Sequence, residues 1–237
     1  MNINSNKYVF GFSIVICLVC GILLSAVTES LRKPQEINAE IEVKKNILKA
    51  VGLSVDRKMK SGDILRLFEE KIDEVVVDNQ GNIVEGVKPK DIGDKVKDQL
   101  PLYIYKENGK IASYAYPIVG QGLWSTLYGY LAIDADATTV RGITFYKHGE
   151  TPGLGAEIEQ AWFQKNFVGK TVYSVKEKNV TPIIVVKGKA ADQFQGDKLN
   201  YHVDGITAAT LTGAGVTDLL NRWINAYEPY FSKVRAM

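Results

Sequence analysis

The 237-residue sequence is poor in the residues that build metal centres and cross-links: it has two cysteines, Cys17 and Cys20, and two histidines, His148 and His202. Cys17 and Cys20 lie on one helical face and supply half of a redox or metal site; a cysteine there is equally an ordinary small apolar residue. His148 with Glu150 falls short of a zinc ligand set, so no metal is expected. The absence of cysteine after residue 20 fits an oxidising compartment. Charge of one sign is scarce too. Lys and Arg total 29 against 27 Asp and Glu, a net +2, and the bases are interspersed with the acids. This argues against nucleic acid as a partner. No Ser or Cys occupies a nucleophile elbow with a histidine partner, which leaves a free-standing hydrolase without its machinery.

One long apolar run is present. No charge falls between Lys7 and Glu29, and residues 8–27 include Phe10, Phe12, Ile14, Val15, Ile16, Leu18, Val19, Ile22, Leu23 and Leu24. At about 1.5 Å per residue this matches a hydrocarbon core of roughly 30 Å. The run exceeds a signal-peptide core of about 7 to 15 residues, and Ser25-Ala26-Val27 is a poor cleavage site. A tail at 1–7 and a retained single membrane span at 8–28 are therefore expected. Arg32 and Lys33 follow the span, but long domains translocate largely regardless of that bias. The span carries no charged residue, so an ion path belongs elsewhere; Gly11 and Gly21 suit close packing against other helices.

Beyond the span, residues 35–51 read as a helix with Ile37, Ile41, Leu48 and Val51 on one face and Gly52 as its stop. A second helix is expected from Ser61, as N-cap, through Ile64, Leu65, Phe68 and Ile72. Strand signals follow: 75–77 before the turn 78–81, then 102–105 and 111–118 as a hairpin about Asn108-Gly109. Further strands are expected at 129–133, 141–146 and 182–187, with helices at 156–167 and 216–226. Runs of strands with few helices between them predict an α+β fold: a transmembrane helix, then a largely antiparallel sheet with flanking helices. The division expected is a membrane-proximal α/β region at 29–110 and a second region at 111–237.

Three small-residue stretches carry the candidate chemistry. Residues 120–130 read G-Q-G-L-W-S-T-L-Y-G-Y and place Trp124 beside small residues that let a planar ring approach the backbone. Residues 148–155 read H-G-E-T-P-G-L-G, with Pro152-Gly153 a type II turn signature. Residues 204–216 read D-G-I-T-A-A-T-L-T-G-A-G-V and lead into an amphipathic helix with Val216, Leu219, Leu220, Trp223 and Ile224. Thr210 thus stands at a helix mouth, where free N–H groups and the dipole favour a phosphate. Each stretch read by itself is also an ordinary loop or cap.

The stretch Asp204, Gly205, Thr207, Ala208, Ala209, Thr210 resembles the flavinylation motif Asp-x-x-Ser/Thr-Gly/Ala-Ala-Thr, in which the last threonine joins the FMN phosphate as a phosphodiester. It departs from the commonest form in having Thr207-Ala208 where Ser-Gly is frequent. With Gly122 to Ser125 and E-T-P-G-L-G from Glu150, the chain resembles the C subunit of the Na+-translocating NADH:quinone oxidoreductase, a resemblance extended by L-R-K-P-Q-E and K-K-N-I-L-K-A-V-G within residues 31–52. Residues 53–110 contribute little to it. The G subunit of the complex that oxidises ferredoxin or NADH is a sister family; G-L-W-S-T-L-Y-G favours the family of the sodium pump.

The resemblance implies an FMN-binding domain at 111–237 on the extracytoplasmic side of the cytoplasmic membrane. FMN would be joined to Thr210, with Asp204, Thr207, Ala208, Ala209, Leu211, Thr212, Trp124, Ser125, Glu150, Thr151, Gly153, Leu154 and Gly155 around it. It also implies other membrane and flavoprotein subunits as partners and a flavin transferase that attaches the cofactor. The protein would relay electrons from NADH toward quinone, with no activity alone. A membrane-anchored binding or assembly module with an unmodified threonine is the rival reading.

Overall fold

The structure is a computed structural model that describes residues 6–56, 58–92 and 98–237, and it divides into two compact units, Met1–Val43 and Lys44–Met237. Helix α1 (Asn6–Ala50) supplies the first unit and ends in the second. The span and the helix expected at 35–51 are thus one element, with no break at residue 28 and with Pro34 inside it. The proline removes one backbone donor. On the exposed surface an Arg32–Glu36 ion pair of 3.1 Å bridges that position. Among the described residues α1 is the one helix long and apolar enough to cross a membrane. Its Phe10, Leu23 and Leu24 side chains are exposed.

The expected stop is found. Gly52 has φ +86°, its N–H donates to the Lys49 carbonyl and that of Leu53 to the Leu48 carbonyl, which satisfies the last carbonyls of α1. Helix α2 (Ser61–Lys71) begins one residue earlier than expected: Lys60 is the N-cap, and its carbonyl accepts from the N–H groups of Asp63 and Ile64.

Five strands follow as an antiparallel meander: β1 (Ile72–Asp78), β2 (Gln99–Glu107), β3 (Lys110–Gln121), β4 (Thr126–Asp134) and β5 (Val140–Lys147). The β2–β3 turn holds Asn108 at φ +51° and Gly109 at φ +76°, the left-handed pair that a tight hairpin requires. Side-chain alternation gives the sheet two buried faces. Leu102, Ile104, Tyr114, Tyr116, Ile118, Leu127, Leu131, Ile143 and Phe145 share one core with the long helix α4 (Thr210–Ala236). On the other face Tyr103 meets Phe68 of α2 edge-on, and Thr144 donates to the Asn46 carbonyl near the end of α1.

The strands at 75–77, 102–105, 111–118, 129–133 and 141–146 are therefore found, each somewhat longer than expected. The helix expected at 156–167 is not. A 3-10 turn (Gly155–Glu159) and a short helix α3 (Ala161–Lys165) are separated by extended Gln160, and the Gln164 side-chain amide donates to the Ile158 and Glu159 carbonyls freed by the break. Two-residue strands complete the fold: β6 (Tyr173–Ser174) with β7 (Asn179–Val180), and β8 (Ile184–Val185) with β9 (His202–Val203). The strand expected at 182–187 shrinks to β8, which pairs in parallel with β9 in an otherwise antiparallel fold. Residues 110 and 111 lie at the β2–β3 hairpin inside one sheet, within the second compact unit.

Candidate functional site

The three small-residue stretches meet at one end of the sheet. Residues 122–125 turn from β3 into β4, residues 148–155 leave β5, and the first turn of α4 packs against both. Glycine permits the approach: a Cβ on Gly215 would lie 2.4 Å from the Gln121 carbonyl oxygen, and one on Gly120 would lie 2.3 Å from Leu219 Cβ.

Glu150 is the junction. It is buried, and its Oε1 accepts from the backbone N–H of Trp124 (2.9 Å) and Ser125 (3.2 Å). Its Oε2 accepts from the N–H of Leu123 (3.3 Å) and from the Thr212 hydroxyl (2.7 Å). Burial pushes this carboxyl up, but the bonds from Thr212, Trp124, Ser125 and Leu123 outweigh it and hold the group below its ordinary value. Around it, Ser125 Oγ accepts from the Gly149 N–H, and His148 Nδ1 accepts from that of Glu150. A Cβ on Gly122 would stand 2.7 Å from Glu150 Oε1; one on Gly155 would stand 2.5 Å from Thr212 Oγ1 and 2.7 Å from Glu150 Oε2. The expected type II turn is present, with Gly153 at φ +74° and the Leu154 N–H donating to the Thr151 carbonyl.

Thr210 is the first residue of α4 and is exposed, while Thr212, two positions on, points into the junction. The N-cap is Ala209, which makes no side-chain capping bond, so the first-turn N–H groups are left to an incoming acceptor. Large apolar side chains stand in solvent on all three segments: Trp124 (70 % exposed), Leu123 (43 %), Leu154 (39 %) and Leu211 (63 %). Thr151, Thr207 and Ala208 are exposed and Ala209 is buried. Asp204 does not join the junction: its Oδ1 accepts from the Ala190 N–H at 2.7 Å, and the Gly205 N–H bonds the Gly188 carbonyl. The first residue of the third stretch thus ties the 188–190 loop to the segment that leads into α4.

Comparison with known proteins agrees with this architecture. The FMN-binding domain family matches residues 122–225, a range that contains the second and third stretches and all but the first two residues of the first. Over 94 % of this chain and 92 % of the relative, it is 32 % identical to the C subunit of the Na(+)-translocating NADH-quinone reductase of Haemophilus ducreyi. It is likewise 32 % identical to the C subunit of Vibrio alginolyticus, over 99 % of this chain and 97 % of that one. The solved structure of the C subunit from Parabacteroides distasonis superposes with a TM-score of 0.73 at 29 % identity, covering 85 % of this chain and 97 % of that one. This chain belongs to the family of Na(+)-translocating NADH-quinone reductase C subunits.

In this member of the C-subunit family, Gly213 and Gly215 also build the site, although the motifs do not name them. Their signal is present in the sequence: two glycines in the first turns of a helix are unfavourable unless packing requires them. Here Gly215 meets the Gln121 carbonyl and Gly213 meets Val185. The motif's departure at Ala208 also acquires a reason to matter, because Ala208 has φ +59°, a region that favours glycine. Ala208→Gly is expected to stabilise this domain by up to about 1 kcal/mol, raising its melting temperature by roughly 2–4 °C. Thermal unfolding followed by circular dichroism tests this, and a lowered melting temperature would show that Ala208 is unstrained.

Proposed function

We propose that the chain is the flavin-bearing electron-transfer subunit of its complex, with FMN joined through its phosphate to Thr210, relaying electrons from NADH toward quinone while the complex exports sodium. The observation that carries this reading is the exposed Thr210 hydroxyl on the uncapped first turn of α4, ringed by three mutually tied loops. When bound, the flavin supplies electron exchange, and the protein supplies placement and electrostatics. Thr210 is the attachment residue and no base. The α4 N–H groups and the positive end of its dipole receive the phosphate. Trp124, Leu123, Leu154 and Leu211 give the apolar rim against which a planar ring system is sheltered from water. Thr151, Gly153, Gly155 and Ser125 shape the loops beneath it, Thr207, Ala208 and Ala209 keep the approach to Thr210 small, and Asp204 fixes the segment from behind.

The remaining expectations belong to the same proposal. A separate flavin transferase installs the cofactor, the large domain lies on the extracytoplasmic side with α1 as its anchor, and other subunits supply the donor, the acceptor and the ion path. The test is flavin fluorescence of the full chain in a denaturing gel, after expression with a flavin transferase. The native chain is expected to fluoresce and Thr210→Val to be dark at unchanged melting temperature, since the side chain is exposed. A dark native chain beside a flavinylated control would leave the binding-module reading in its place.

A further inference from the structure

Glu150 makes no use of solvent. Its two oxygens accept from four donors on two segments: the Leu123, Trp124 and Ser125 N–H groups of one loop, and the Thr212 hydroxyl on the first turn of α4. The glycines at 122 and 155 leave room for the carboxylate and nothing more. A side chain so enclosed is badly placed to touch a ligand bound at exposed Thr210, yet it grips that residue's own helical turn. We propose that Glu150 is the positioning residue for flavin attachment, acting through Thr212 to hold the first turn of α4, and with it Thr210 Oγ1, in register with the 122–125 loop. The inference rests on Thr210 being the attachment site.

The reaction that senses this placement is the loading step. A phosphodiester forms from an activated phosphate, so the donor is a flavin dinucleotide. The Thr210 Oγ1–P bond forms, the pyrophosphate P–O bond breaks, the nucleoside monophosphate leaves and the hydroxyl proton passes to solvent. Misplacing the attacking oxygen by about 1 Å slows such a step on the order of a hundredfold. Glutamine is a poor substitute at position 150, because it brings two donors to a site that presents four donors. At Thr212 the hydroxyl is what matters, so serine replaces threonine and valine does not.

The experiment uses the purified, flavin-free full chain in detergent with flavin transferase and flavin adenine dinucleotide, loading being followed by intact mass. Circular dichroism at the reaction temperature establishes that each variant is folded. Expected is wild-type loading by Thr212→Ser and loading slowed about ten- to a hundredfold in Glu150→Gln and Thr212→Val. Amide exchange of flavin-free Glu150→Gln should rise at 123–125. Wild-type loading rates in folded Glu150→Gln and Thr212→Val would overturn the inference while leaving attachment at Thr210 standing. Equal slowing in Thr212→Ser and Thr212→Val would overturn it too, because the hydroxyl would then not be the link. If Glu150→Gln does not fold, the serine and valine pair at 212 decides. Failure of the native chain to load would instead remove the attachment reading and this inference with it.

Discussion

Gly205→Ala will destabilise the domain and hinder flavin loading, whereas Thr210→Val will abolish loading alone. A Cβ at Gly205 would stand 2.0 Å from the Val186 carbonyl oxygen and 3.1 Å from its carbonyl carbon. Both atoms are backbone, so no rotamer relieves the clash and the chain itself must move. The strand pair β8–β9 runs through the same place, held by Val186 N–H to the Val203 carbonyl and Gly205 N–H to the Gly188 carbonyl. Opening it costs about 3 kcal/mol, a fall of roughly 6–12 °C in melting temperature for a domain of this size. The movement also carries the segment leading to Thr210, so the folded fraction should load more slowly. Melting and loading measured on both variants separate the two effects. An unchanged melting temperature for Gly205→Ala would show that the approach of the two backbones is looser than described.

Local punctuation was the part of the fold that the sequence disclosed best. Asn108-Gly109 and Pro152-Gly153 name their turns through positive φ, and Gly52 names the end of α1. The apolar run from Leu102 to Tyr105 names a strand that is buried on both faces only because α4 covers one and the α1 end with α2 the other. What stayed hidden depends on long-range partners. Gly81 was legible as a turn residue, but a Cβ there would stand 2.3 Å from the Pro229 carbonyl carbon, so the glycine also admits α4. The 156–167 segment has helical spacing, yet Gln160 is extended and Gln164 replaces the missing backbone bonds. At the site, the three motifs could be found one by one. Their common anchor could not, since Glu150 lies 25 to 27 residues from the loop it holds and 62 from Thr212.

Tyr227→Ala is the second large effect expected, and it should fall on stability. Tyr227 is fully buried on α4, stacks on Tyr116 with ring centroids 4.1 Å apart, and donates from its hydroxyl to the Pro101 carbonyl at 2.6 Å. Removing the ring leaves a cavity between α4 and the sheet at a cost of about 3–5 kcal/mol. Tyr227→Phe keeps the stack and loses only the hydrogen bond to Pro101, costing about 1–3 kcal/mol because that carbonyl is left without its donor. Both losses lie about 25 Å along the helix from Thr210, at roughly 1.5 Å per residue. Urea unfolding should therefore rank native above Phe above Ala, while the folded fraction of each loads flavin at the native rate. Slow loading by folded Tyr227→Phe would mean that α4 moves as a rigid lever, and that the placement of Thr210 is set along the whole helix instead of at its first turn.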